Sequence, residues 1–160
     1  MKKITAILLT MILTLSLSAT AFAAEINQDS DPKTADVTVT TSIAPTYTVT
    51  IPANTKVDFN AENTSFGSVK LDAAQIDPGK CVKVALATDG KLENAADNTK
   101  VIPYEIKAGE DVFTFATYLT AGEKTELTIH ITQDDWNKAY AGEYSDAVTF
   151  TVSYEDKAND

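Results

Sequence analysis

The sequence contains one histidine and one cysteine, His130 and Cys81, the side chains best suited to proton transfer and nucleophilic attack. His130 lies between Ile129 and Ile131, so strand alternation directs its imidazole away from the apolar face and toward solvent. No Gly-x-Ser-x-Gly turn supplies a serine nucleophile. Cys81 begins an apolar run, which favours a small buried side chain over a reactive thiol. The sequence predicts no catalytic residue and no enzyme activity.

Metal and cofactor sites are also not expected from the residue types. One cysteine cannot form an internal disulfide or a cysteine-based zinc site, and one histidine cannot form a histidine cluster. Acidic pairs such as Asp134-Asp135 and Glu110-Asp111 lack the ligand spacing and the glycine of an EF-hand. We therefore expect no metal and no cofactor, although calcium binding by a loop stays open.

Two aromatic residues could form a ligand platform. The sequence from Thr132 to Gly142 predicts a short helix, because Thr132 can cap it, Asp135 follows three residues later and Gly142 lies just beyond its end. The i, i+4 spacing of Trp136 and Tyr140 places both rings on one face of that helix. Stacking on a sugar ring and burial against the rest of the domain are the two alternatives, and burial is favoured.

A Gly-x-Tyr sequence, Gly142-Glu143-Tyr144, stands between this helix and the last strand. Such a placement is typical of a structural tyrosine corner, in which the ring fills the turn and the hydroxyl bonds to main chain upstream. We expect a largely buried Tyr144 with this structural role. Sugar stacking by Tyr144 is the less favoured alternative.

The elements that position these residues are predicted to be strands. Apolar residues alternate with polar ones in short runs separated by turn residues. No strand is followed by a long helical pattern, which argues against parallel βαβ units. We predict an all-β protein, an antiparallel Ig-like (pilin-like) β-sandwich of seven to nine strands, with a closed barrel as the alternative. The predicted strands cover 37–43, 47–51, 57–59, 67–71, 82–86, 102–106, 113–119, 127–131 and 148–154.

The chain is predicted to be exported. Residues 1–23 resemble a secretory signal peptide, with Lys2 and Lys3 before an apolar stretch and Ala21-Phe22-Ala23 as a cleavage site. We expect a flexible leader over 24–36, the β-sandwich domain over 37–155 and a polar tail over 156–160. After cleavage no stable membrane span is expected, and the protein is placed outside a bacterial cell or on its surface. The formal charge of −10 opposes binding to nucleic acid.

The last strand and its approach carry a family resemblance. The sequence Ala141-Gly142-x-Tyr144-Ser145-Asp146-x-Val148-Thr149-x-Thr151-Val152 resembles the C-terminal signature of spore coat protein U-type and chaperone–usher pilin subunits. It is also similar to small secreted Ig-like β-sandwich proteins of Gram-positive gut bacteria. Those pilins commonly carry a disulfide, which this chain lacks. Further parallels are Phe66-Gly67-Ser68-Val69, Val82–Leu86 and Pro103-Tyr104-Glu105-Ile106.

The resemblance implies a structural or adhesive surface protein, such as a fibre or surface-layer subunit. The alternative is a carbohydrate- or ligand-binding module, since sandwiches support both functions. Candidate partners are another copy of the chain, a second surface protein or a glycan. The alternating run Val37, Val39, Thr41 and Ile43 is typical of a strand donated to another copy, or else it forms the first strand of the sandwich, which we favour.

Overall fold

The computed structural model describes residues 24–158, so the predicted signal peptide over 1–23 lies outside the described residues. The chain divides into two compact units at Thr41/Ser42. The described part of the first unit contains a turn in which Asn27 and Ser30 hydrogen-bond to each other, and no helix or strand. The second unit contains all the regular secondary structure of the described residues.

The second unit is built from short strands and one short helix. The helix, α1, covers Gln133–Lys138. Eleven strands are described, namely β1 (Thr46–Thr50), β2 (Asn63–Gln75), β3 (Lys80–Ala87), β4 (Lys91–Asn94), β5 (Val101–Pro103), β6 (Glu105–Ala108), β7 (Asp111–Val112), β8 (Phe115–Tyr118), β9 (Lys124–His130), β10 (Tyr144–Ser145) and β11 (Thr149–Asp156).

The strands form three antiparallel sheets. The five-stranded sheet has the order β1-β2-β9-β6-β7, the β3 sheet has the order β11-β3-β8, and the β4 sheet has the order β10-β4-β5. The predicted all-β antiparallel class, with one short helix before the last long strand, is confirmed. The predicted count of seven to nine strands is too low. The extra strands include the two-residue β7 and β10 and the polar β4. These strands show no apolar alternation, because pairing through the backbone does not require it.

The core lies between the five-stranded sheet and the β3 sheet. Val69, Leu71 and Leu127 of the first and Val82 and Val84 of the second are almost completely inaccessible to solvent. The rings of Phe66 (β2) and Phe150 (β11) lie 6.1 Å apart, from centroid to centroid, and so join the two sheets. Because alternate residues of each strand point inward, the two faces bury one continuous apolar cluster, as in a β-sandwich.

Two predicted strands are not formed. Residues 37–43 carry no strand, and Val37 and Val39 are 83% and 92% exposed, so the favoured reading of this run as the first strand is wrong. The sheet begins instead at Thr46, directly after Pro45, which has no N–H to donate to a ladder. Residues 57–59 lie in a loop that turns at Asn60, where φ is 67°.

The helix begins as predicted but ends early. Thr132 is its N-cap, and the Thr132 Oγ1 accepts a hydrogen bond from the Asp135 N–H at 3.2 Å. Ala139 is already extended, with ψ 138°, so Tyr140 lies outside the helix. The predicted i, i+4 relation between Trp136 and Tyr140 on one helical face is therefore wrong. Over residues 24–158, no helix is long and apolar enough to cross a membrane.

Candidate functional site

A groove of about 1040 Å³ runs beside α1 in the second unit, and we call it the α1 groove. Its walls come from the loop before β2, from α1 and from the chain that links α1 to β11. Leu92 of β4 and Ile102 of β5 also line it. The side chains that could contact a ligand are those of Lys56, Asp58, Phe59, Trp136, Tyr140, Glu143, Tyr144, Ser145 and Asp146.

Trp136 is fixed as a wall of this groove. Its ring is only 8% exposed, and its Nε1–H donates to the carbonyl oxygen of Ala61 at 3.0 Å. Trp136 is therefore buried, as predicted, and does not form a freely exposed platform. The hydrogen bond satisfies the indole N–H, so the ring is held in one orientation.

Tyr140 is the exposed member of the predicted pair, so the favoured burial of both rings is wrong for Tyr140. Its side chain is 63% exposed and lines the same groove as Trp136. The Lys100 Nζ lies 4.9 Å from the centroid of its ring, within the range of a cation–π contact. The two predicted platform residues therefore meet in one groove, although the helix does not align them.

Phe59 belongs to the groove and was not predicted. Its side chain is 82% exposed, and its ring meets that of Trp136 edge to face, with centroids 5.6 Å apart and planes at 77°. A sequence signal exists, because Phe59 is the one aromatic residue between Thr50 and Asn63. Reading residues 57–59 as a strand concealed it, since a strand would have buried alternate side chains.

The tyrosine corner forms at the junction of this groove with β10. The Tyr144 hydroxyl donates to the carbonyl oxygen of Tyr140 at 2.9 Å, as the sequence predicted. Tyr144 is half-buried, so the expectation of a largely buried ring is corrected. The ring packs against the core in part and remains accessible where it lines the groove.

Gly142 is required at this corner by a close approach. A Cβ at this position would lie 2.3 Å from the Nδ2 of Asn94, and φ is 149°. Asn94 is buried, and its Oδ1 accepts from the backbone N–H of Ala96 at 2.9 Å. Its Nδ2 donates to the carbonyl oxygen of Ala141 at 3.4 Å. Asn94 therefore cannot move aside without losing bonds that satisfy buried polar atoms.

A hydroxyl–carboxylate cluster supports the segment after Tyr144. The Tyr104 hydroxyl donates to the Asp146 Oδ2 at 2.6 Å, and the Thr88 hydroxyl donates to the same oxygen at 3.0 Å. Burial, together with the bond to the Asp146 carboxylate, raises the pKa of Tyr104 to about 12. The neutral phenol therefore persists well above neutral pH and fixes the position of Asp146 at the groove.

Cys81 and His130, the side chains best suited to nucleophilic attack and proton transfer, lie outside the α1 groove. Cys81 is buried at the start of β3, which confirms the predicted small buried side chain. His130 is half-buried at the end of β9, and its Nδ1 lies 2.9 Å from the Oδ1 of Asn63 on β2. Within residues 24–158, no three histidine, cysteine or acidic side chains form a group that could hold a metal ion.

A second feature is the side of the second unit where β1 and β11 meet, which we call the open edge. β1 pairs only with β2 and β11 only with β3, so each has one unpaired edge in the described part of the chain. The rings of Tyr47 (β1) and Tyr154 (β11) stack across the gap, with centroids 5.9 Å apart.

The open edge is incompletely covered. Val152 lies on the same side of β11 as Phe150 and Tyr154, which pack against the core, yet its side chain is 38% exposed. Ile51, just beyond β1, is also exposed. By contrast, Val82 and Val84 on the neighbouring strand β3 are completely buried. The apolar layer is therefore partly open to solvent on this side.

Comparison with models of protein families and with curated proteins gives no match to this chain.

Proposed function

We propose that the protein is a non-enzymatic structural or adhesive subunit of the bacterial cell surface, which associates with further copies by strand addition. The supporting observation is that one chain has both an exposed apolar segment without a partner strand and an edge strand that is unpaired on one side. Residues 37–43 form no strand and expose Val37 and Val39, while β11 pairs on one side only, with β3, in the described part of the chain. A chain with both features can complete the edge of another copy with its own segment.

The dimensions of the two features agree. The run over 37–43 contains seven residues and β11 contains eight, so at about 3.3 Å per residue they have nearly equal extended lengths. Val37, Val39 and Ile43 would all face the same side of an added strand. Burial of an aliphatic side chain contributes about 1.5–3 kcal/mol, so these three supply a substantial driving force.

The unpaired edge gives the added strand a backbone template. An edge strand presents a row of N–H and C=O groups that a further strand can bond. In β11, apolar or aromatic residues alternate with polar ones from Thr149 to Tyr154, and the strand contains no proline. Its sequence therefore does not block such pairing. Secretion and surface exposure, as expected from residues 1–23, would bring copies together outside the cell.

Removing the segment tests this proposal. A chain that begins after residue 43 should melt cooperatively and remain monomeric at every concentration, because the added strand is lost and the domain is not. A synthetic peptide of residues 35–45 should then bind this shortened chain saturably in a calorimetric titration. Loss of folding in the shortened chain, or failure of the peptide to bind, would refute strand addition.

A further inference from the structure

We infer that the α1 groove binds a neutral oligosaccharide. This inference is independent of strand addition, because the groove residues lie between 55 and 146 and exclude β1, β11 and the run over 37–43. Its three supports are the exposed aromatic rings, the charge of the lining and the rigid wall beneath them.

The aromatic rings offer apolar faces at an accessible site. Phe59 and Tyr140 are both mostly exposed on the rim of the groove, where water contact with their rings is unfavourable. The apolar C–H face of a sugar ring can cover such a ring while its hydroxyl groups stay at the periphery. Large aromatic side chains next to a few polar groups are typical of ligand pockets.

The charged residues of the lining select against anionic ligands. Asp58, Glu143 and Asp146 provide three carboxylates, against Lys56 in the lining and Lys100, whose ammonium lies over the Tyr140 ring. Carboxylates accept hydrogen bonds from hydroxyl groups, and these charge-assisted bonds are stronger than neutral ones. An acidic sugar or a phosphate would instead meet net negative charge, as the formal charge of −10 also disfavours it.

The site is held in place before any ligand binds. Trp136 is fixed by its bond to Ala61, and the Phe59 ring packs on it edge to face. Tyr144 bonds the main chain at Tyr140, and the Tyr104 and Thr88 hydroxyls hold Asp146. A preformed site loses less conformational entropy on binding. With a volume of about 1040 Å³, the groove accommodates several sugar units rather than one.

The single tryptophan makes binding directly observable. Trp136 is the only tryptophan of the sequence and lines the groove, so its fluorescence reports on an occupant there. The chain without its signal peptide is titrated with cellohexaose, mannohexaose and chitohexaose as neutral probes. Oligogalacturonate serves as the anionic probe. Chitosan hexamer serves as the cationic counterpart of chitohexaose, and hexalysine tests a cationic peptide.

Matched variants locate the binding. Phe59→Ala and Tyr140→Ala should each weaken the affinity for the best neutral probe at least about tenfold. Phe115→Ala is the control, because Phe115 is an exposed aromatic residue on β8 that packs under the Lys83 ammonium and does not line the groove. It should change the affinity by less than about twofold. Thermal melts of all three variants verify that the domain stays folded.

The expected result is saturable binding of a neutral oligosaccharide that shifts Trp136 emission and depends on Phe59 and Tyr140. The inference is overturned if none of the neutral probes binds. It is also overturned if oligogalacturonate, chitosan hexamer or hexalysine binds more tightly than every neutral probe, or if Phe115→Ala weakens binding as much as Phe59→Ala.

Discussion

Tyr144 shows how one hydroxyl can stabilise the corner beside the α1 groove. Its bond to the Tyr140 carbonyl oxygen is 2.9 Å long, and its ring is half-buried. Tyr144→Phe removes only this hydrogen bond and should lower the free energy of unfolding by about 1 kcal/mol. Tyr144→Ala also removes the ring and should cost more, about 2–3 kcal/mol, because the ring packs against the core only in part. Urea unfolding of both variants measures the two losses. A Tyr144→Phe variant as unstable as Tyr144→Ala would show that the ring itself adds nothing to the stability.

Tyr104 gives the protein a defined response to alkaline pH. Burial, followed by the bond to the Asp146 carboxylate, raises its pKa to about 12, whereas an unfolded tyrosine titrates near 10. The folded state thus favours the neutral phenol. This contribution to stability is complete below about pH 10 and is lost as the pH rises through about 12.

The Tyr104→Phe variant should therefore lose less of its free energy of unfolding between about pH 10 and pH 12 than the unmodified chain. Denaturant unfolding at a series of pH values measures this difference. Tyr140→Phe is the control, since Tyr140 is exposed. Equal losses in all three chains would show that Tyr104 does not carry the alkaline response.

The junction between α1, β4 and β10 depends on a glycine. A Cβ at Gly142 would clash with the buried Asn94, so Gly142→Ala should destabilise the domain by about 2–3 kcal/mol. Gly109→Ala is the matched control. Its φ is also positive, at 65°, but its Cβ would meet nothing within 4 Å, so only the strain of about 1 kcal/mol applies. Thermal and urea unfolding compare the two variants, and equal destabilisation would show that the contact with Asn94 is unimportant.

Most of the long strands follow from alternation in the sequence, because β2, β3 and β9 each bury one face and β11 packs Phe150 and Tyr154 against the core. The N-cap at Thr132 and the hydroxyl bond of Tyr144 were also predictable, since both are local interactions. The α1 groove was predictable only in part. Phe59 and Asp146 join Trp136 and Tyr140 through contacts between distant segments, which a periodic pattern does not encode.

Alternation alone also predicted two strands that do not form, one over 57–59 and one over 37–43. Residues 37–43 have the same period-two pattern as the core strands, yet they are exposed and unpaired. A pattern reports which side chains share a face, and it does not report whether a partner strand from the same chain is present. Under strand addition, the pattern is satisfied by a second copy rather than by the fold of the first.

Charge acts on the molecule as a whole and opposes association. With 23 acidic residues against 13 basic ones, two copies repel each other at long range. Salt screens this repulsion over about 10 Å at 0.1 M. Added salt should therefore strengthen association by strand addition, whose driving force is apolar burial and backbone pairing.

Light scattering coupled to size-exclusion chromatography over a concentration series shows whether copies of the chain associate through the run over 37–43. Three chains without the signal peptide are compared: the unmodified chain, Val39→Lys and Thr40→Lys. Val39 lies on the apolar side of the run over 37–43, and Thr40 lies on the opposite side, so the two variants add the same charge at adjacent positions. Strand addition predicts a mass that rises with concentration for the unmodified chain and for Thr40→Lys, and a monomer at every concentration for Val39→Lys. A monomeric unmodified chain at every concentration, or equal association of the two lysine variants, would contradict it.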